Sequence, residues 1–161
     1  LERANSSEFA PDTPYKVIYK LRELVNVETM GGTMRLGKYA CQLKPGSHGW
    51  EAYHADTVWE RHRHRYEVNL DYVPIFEKNG LAITGRSPDR VFVEMIEIPD
   101  HPWFVACQCH PELRSKPFAP HPLFVAFVKA AIEERERRQS SETAAAPAEQ
   151  LQAPAQKADN A

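Results

Sequence analysis

A histidine and a glutamate stand two residues apart in Gln108-Cys109-His110-Pro111-Glu112, at the end of an apolar run and just before a proline-rich loop. Imidazole titrates near neutrality, so His110 is suited to taking a proton from a thiol or hydroxyl. A carboxylate on the second ring nitrogen would fix the tautomer and stabilise the imidazolium, which is the role open to Glu112. The same residues could equally form a His-Pro turn with a surface glutamate, because spacing alone does not establish the contact. A base and its orienter also need an attacking atom. No nucleophile-bearing turn occurs in the 161 residues, so the chain reads as the back half of a catalytic domain.

Other residue types invite other chemistry. Arg65 lies in Glu60-Arg61-His62-Arg63-His64-Arg65-Tyr66-Glu67. A guanidinium there could hold the carboxylate of an amino acid in a bidentate pair. It could also belong to a solvated charge run, or pair with Glu67 or Glu60. Glu8, in a polar loop, could receive an ammonium group or simply face water. Cys107, Cys109 and His110 lack the paired C-x2-C spacing of a zinc site, and His62 and His64 have no partner motif, so no metal is expected. Acidic residues flank the basic stretch on both sides, which argues against nucleic acid.

Bulk properties narrow the field further. The net charge of -2 and pI near 6.4 give no global attraction to nucleic acid or membrane. No apolar run approaches the ~20 residues of a membrane span, and no signal peptide is visible. Three cysteines make no disulfide framework, so a reducing cytoplasm is the expected setting. The chain opens on Leu1-Glu2-Arg3-Ala4-Asn5, without Met, as if an element were already under way. A fragment is expected, although a processed or trimmed chain would look the same.

The elements that must position these groups follow from periodicity. Residues 5–14 are turn-rich. Residues 15–24 suit either a strand or a helix. Gly31-Gly32-Thr33-Met34-Arg35-Leu36-Gly37 marks a tight lead-in to a strand that continues over 39–43. In the charged stretch, alternation puts Arg61, Arg63 and Arg65 on one strand face and His62, His64 and Tyr66 on the other. Tyr72, Ile75 and Phe76 fall at helical spacing, and Asn79-Gly80 is a helix stop. Strands are predicted over 81–84, 91–98 and 103–108, with turns at 85–89 and 99–102. The last of these strands delivers the chain to His110. Leu123, Phe124, Phe127, Val128, Ala131 and Ile132 share one face of a helix that starts at Pro122 and ends in the charged turn 133–138. From Gln139 the composition turns to Ala, Ser, Pro, Gln and Glu, which predicts a disordered tail over 139–161 after a domain over 1–138. Strands with short turns and a closing helix fit an α/β or α+β layer architecture.

The residues also carry a resemblance. Ala4-Asn5-Ser6-Ser7-Glu8-Phe9, the Gly31–Gly37 and Glu60–Asn69 blocks, His101-Pro102-Trp103-Phe104-Val105-Ala106-Cys107-Gln108, His110-Pro111-Glu112 and Pro120-His121-Pro122-Leu123-Phe124 occur in the order found in CTP synthases. The chain, to about Glu134, resembles the C-terminal part of their class I glutamine amidotransferase domain. The His-Pro-Glu block alone would indicate only the wider class I group. The resemblance implies an α/β, flavodoxin-like fold with a mixed sheet flanked by helices. It implies a Cys-His-Glu triad that hydrolyses L-glutamine, with His110 as base and Glu112 as orienter. Glu8 and Arg65 are then contacts to the amino-acid end of glutamine. In the family the ammonia passes to a synthetase domain that aminates UTP with ATP and Mg2+, and GTP activates the glutaminase. A cytoplasmic, homotetrameric parent is implied, and no cofactor is expected on this piece.

Two departures qualify the resemblance. The family's Gly-x-Cys-x-Gly elbow, its early oxyanion-hole glycines and the synthetase domain have no counterpart among these residues, and none of Cys41, Cys107 or Cys109 sits in such a turn. The chain alone is therefore expected to hydrolyse little glutamine. Cys109 also stands where the family usually has Phe. Other readings are another class I amidotransferase or γ-glutamyl hydrolase, or a degenerate, non-catalytic amidotransferase module that acts by binding.

Overall fold

The computed structural model describes residues 1–20 and 34–145. Eight strands, three helices and two single 3-10 turns follow one another among them. The strands are β1 (Ala4–Ser6), β2 (Tyr15–Lys20), β3 (Arg35–Leu43), β4 (Thr57–His64), β5 (Tyr66–Val68), β6 (Ala82–Arg86), β7 (Val93–Glu97) and β8 (Val105–Cys107). The helices are α1 (His48–Tyr53), α2 (Val73–Lys78) and α3 (Pro122–Ala145). The 3-10 turns cover Leu70–Tyr72 and Pro111–Leu113.

Two sheets result. The larger runs β4-β3-β6-β7-β8 and is antiparallel throughout. The smaller runs β1-β2-β5, with β1 parallel and β5 antiparallel to β2, so the mixed pairing expected of the fold lies here. The undecided segment 15–24 is a strand as far as Lys20. Residues 21–24, Gly31-Gly32-Thr33 and the tail from 146 lie outside the described residues.

Local chemistry sets the boundaries. Ser47 caps α1, its hydroxyl accepting from Trp50 N at 3.1 Å, and His54 closes that helix in the left-handed region at φ 52°. Gly80, at φ +86°, follows α2 as the Asn-Gly stop predicts. Along β4 the side chains alternate, with Val58, Glu60 and His62 inward and Trp59, Arg61 and Arg63 outward. The inward face is thus mostly polar. The main apolar core gathers Cys41, Leu43, Val58, Met95 and Leu123, and a second cluster holds Val73, Ile83 and Val93. Gly85 sits where a Cβ would come within 2.7 Å of both Cys41 Sγ and Met95 Cβ, so the strand packing requires its bare backbone.

Two expectations need correction. The strand predicted over 103–108 is paired only at Val105–Cys107, because Trp103 leaves the ladder to pack against the main core. The apolar face of α3 is largely turned to solvent. Leu123 is buried, but Phe124, Phe127, Val128 and Ile132 are 42–54 % exposed. Ala126 and Ala130, on another side of the helix, are half-buried. α3 also continues past Arg138 to Ala145. The change of composition at Gln139 is not a break, because Gln, Glu and Ala are good helix formers and the first proline comes only at Pro147.

Candidate functional site

His110 leaves β8 through Gln108 and Cys109. Gln108 N donates to Glu94 O at 2.9 Å, and His110 N donates to Arg61 O at 2.8 Å, which lays this stretch between β7 and β4. Pro111 then starts a 3-10 turn, for which its fixed φ is suited. Within the turn, His110 Nδ1 lies 2.7 Å from Glu112 Oε1. Both side chains remain accessible, at 37 % and 58 %. The hydrogen bond from His110 holds the Glu112 carboxyl below its usual range. With Nδ1–H committed to Glu112, Nε2 is the ring nitrogen left to exchange a proton.

A cleft of about 490 Å³ lies nearby and gathers Glu8 and Arg65 from distant parts of the chain. Glu8 arrives on the loop after β1, where its N–H donates to Ser6 Oγ at 3.2 Å. Arg65 arrives at the break between β4 and β5. Ile18, Met34, Arg63, His64 and Gln108 are among the other lining residues. Gln108 is anchored across the cleft, its side-chain amide donating to Tyr66 O at 2.9 Å. The lining ends at Gln108, so the His110–Glu112 pair stands two residues beyond it.

Sequence reasoning missed what supports this cleft. Arg35, 5 % exposed, donates to Glu94 Oε1 at 2.6 Å and to Glu67 Oε1 at 3.2 Å. His64 Nε2 donates to the same Glu67 oxygen at 2.6 Å, and His62 Nε2 donates to Glu94 Oε2 at 2.7 Å. His62 Nδ1 faces Glu60 O at 3.0 Å, so both of its ring nitrogens meet acceptors. The Arg35 guanidinium also lies over the rings of Tyr39 and Phe92, at 4.5 and 4.6 Å. Burial pushes Glu94 up, but the hydrogen bonds from His62 and Arg35 outweigh it and hold the carboxyl below the usual range. The signal was present in the alternation of the charged stretch. Two-residue spacing placed His62 and His64 on one face, but nothing in their types says that this face is buried.

Glu60 and Glu67, the partners weighed for Arg65, have other hydrogen bonds. Glu67 binds Arg35 and His64. Glu60 Oε1 accepts from Tyr53, Arg114 and His121.

The cysteines are free thiols. Burial pushes Cys41 up to about 12, far from a thiolate. The neighbouring Cys107 and burial both push Cys109 up. Among the described residues, no three His, Cys, Asp or Glu side chains converge to hold a metal ion, and no helix is long and apolar enough to cross a membrane.

Known proteins match this arrangement. The family model described as glutamine amidotransferase class-I matches residues 10–130. A CTP synthase of Acidobacterium capsulatum is 59 % identical over 133 residues, covering 83 % of this chain and 24 % of the relative. A CTP synthase of Methanothermobacter thermautotrophicus is 53 % identical over 133 residues, again 83 % of this chain and 25 % of the relative. The chain thus spans about a quarter of the length of such relatives. A solved structure, the glutaminase domain of Trypanosoma brucei CTPS with bound acivicin, superposes with a TM-score of 0.74 at 34 % identity, over 81 % of this chain and 51 % of that one.

Proposed function

Since the chain belongs to the class I glutamine amidotransferases, we propose that it is the base-bearing part of a CTP synthase glutaminase, which releases ammonia from L-glutamine for the amination of UTP to CTP. The observation that carries this reading is the 2.7 Å contact between His110 Nδ1 and Glu112 Oε1 beside a cleft that brings Glu8 and Arg65 together. The identity to CTP synthases, rather than to amidotransferases at large, supports the choice of parent reaction.

In the proposed chemistry Arg65 holds the α-carboxylate of glutamine and Glu8 its ammonium. A thiolate attacks the side-chain amide carbon, and the C–N bond breaks as His110 Nε2 gives its proton to the departing ammonia. A thioester remains. Water then adds to it, His110 takes the water's proton, and the C–S bond breaks to return the thiolate and glutamate. Glu112 keeps Nδ1 protonated throughout, so that Nε2 alone carries the exchanging proton.

None of the three cysteines of this chain serves as the thiolate in this reading. Cys41 is held as a thiol by burial, and the 161 residues by themselves hydrolyse little glutamine. ATP, Mg2+ and the activator GTP are assigned to the remainder of the parent, a cytoplasmic homotetramer.

The test is calorimetric titration of L-glutamine into the chain, beside an assay of ammonia release. Saturable binding is expected, weakened roughly 10- to 100-fold in Glu8→Ala and in Arg65→Ala, the worth of a charge-assisted hydrogen bond. Binding indifferent to both substitutions would overturn the site. Ammonia release at the rate of a complete glutaminase would overturn the assignment of the nucleophile.

A further inference from the structure

The turn that carries His110 and Glu112 is a single 3-10 turn, its backbone held internally by backbone bonds alone. The pair is half-exposed, and the 3-10 turn beneath it has no side-chain cap. What fixes the turn lies on the adjoining strand β4, at three successive residues. Arg61 O accepts the backbone N–H of His110 at 2.8 Å. Trp59 O accepts from Arg114 Nη1, and Glu60 Oε1 accepts from the same nitrogen at 3.0 Å. Arg114 is the residue that closes the turn. Both ends of the turn are therefore fastened to β4, one by backbone and one by a guanidinium.

Glu60 is the buried end of this fastening. Its side chain is 3 % exposed and faces three elements. Tyr53 of α1 donates its hydroxyl to Oε1 at 3.2 Å. His121, just before α3, has Nδ1 occupied as the acceptor of Leu123 N at 3.3 Å. Its Nε2 therefore carries the hydrogen and donates to Glu60 Oε1, also at 3.2 Å. His121 N in turn donates to Ser115 Oγ at 3.1 Å, which ties in the residue after Arg114. All three donors converge on Oε1, while the buried Oε2 has no hydrogen-bond partner, and the charge-assisted bond to Arg114 ties that oxygen, Oε1, to the turn.

We propose that Glu60 is a positioning residue for the His110–Glu112 pair, acting through Arg114, with His121 and Tyr53 fixing its own orientation. The proposal rests on the reading of His110 and Glu112 as base and orienter. Neither Glu60 nor Arg114 lines the cleft that holds Glu8 and Arg65, so the staple governs the base and not the grip on the amino acid.

The measurement is the tautomer of the His110 imidazole. It is read by long-range proton–nitrogen correlation on the 15N-labelled chain, at a pH above the imidazole range, with His110→Asn to assign the signal. Four proteins are compared: the native chain, Glu112→Gln, Glu60→Gln and Arg114→Met. Glu60→Gln is nearly isosteric and Arg114 is 46 % exposed. Both variants should therefore fold, and their backbone amide spectra check this.

A predominantly Nδ1–H imidazole is expected in the native chain. Its ratio to the Nε2–H form should fall roughly fivefold in both Glu60→Gln and Arg114→Met, the worth of one net hydrogen bond. Arg114→Lys, which keeps the ion pair, should recover part of that fall. An unchanged ratio in Glu60→Gln and Arg114→Met, beside a changed one in Glu112→Gln, overturns the positioning role and leaves the base and orienter standing. A ratio unchanged in Glu112→Gln as well overturns both.

Discussion

A guanidinium enclosed by two buried carboxylates is stable only while all the partners remain. Arg35 binds Glu94 and Glu67, and each carboxylate also binds a histidine, His62 or His64. Taking an ion out of water costs several kcal/mol, and the mutual attraction offsets that cost only if the set is complete. Arg35→Met should therefore lower the unfolding free energy by about 3–5 kcal/mol, because it leaves two buried glutamates short of a cation. Urea denaturation measures this, and a loss below about 1 kcal/mol would mean that the two histidines alone satisfy the carboxylates. The same network reaches the cleft on one side. His64 and Arg63 line the cleft, and His64 is held from behind by Glu67.

At the scale of elements, packing decides more than pattern. β6 can lie against β3 and β7 because Gly85 has no side chain, with Cys41 and Met95 filling the space that a Cβ would need. Gly85→Ala should destabilise the chain by about 1–3 kcal/mol through overpacking, seen as a lower thermal midpoint. An unchanged midpoint would show that the backbone of β7 can shift to make room. α3 offers the opposite case. Leu123→Ala removes a side chain buried in the main core and should cost about 2–5 kcal/mol. Phe127→Ala, on a side chain 53 % exposed, should cost about 0.5 kcal/mol or less. The comparison separates the buried start of the helix from the exposed turn after it, and equal costs would refute that division. The exposed Phe124, Phe127, Val128 and Ile132 also form an apolar stripe of the kind that promotes association.

For the whole molecule, the buried acid–base network links stability to pH. Glu94 is held below its ordinary value of 4.5 in the folded chain. A carboxyl depressed on folding contributes stability that is complete above its unfolded pKa and is lost as pH falls through the folded one. The unfolding free energy should therefore be level above about pH 5–6 and decline as the pH falls below 4.5, the ordinary glutamate value. Glu94→Gln should flatten that acid limb while lowering the plateau. Urea midpoints measured across the acid range check both, and an acid limb that survives the substitution unchanged would assign the loss to other carboxyls.

Much of this was legible in the chain itself. Strand alternation over 57–64, the stop at Asn79-Gly80, the start of α3 at Pro122 and the delivery of His110 by an apolar strand are local effects of backbone geometry and side-chain type. The order of the motif blocks carried the family resemblance. Three things needed the folded chain. Glu8 and Arg65 share a cleft only because the pairing of β1, β2 and β5 brings their loops together. The inward face of β4 holds Glu60 and His62, a choice that depends on Glu94, Arg114, Tyr53 and His121 arriving from elsewhere to satisfy them. The stripe on α3 is exposed beyond Leu123, which depends on where the rest of the chain packs against the helix. Periodicity reports which residues share a face. Which face is buried, and whether a buried charge can be tolerated there, depends on partners distant in sequence.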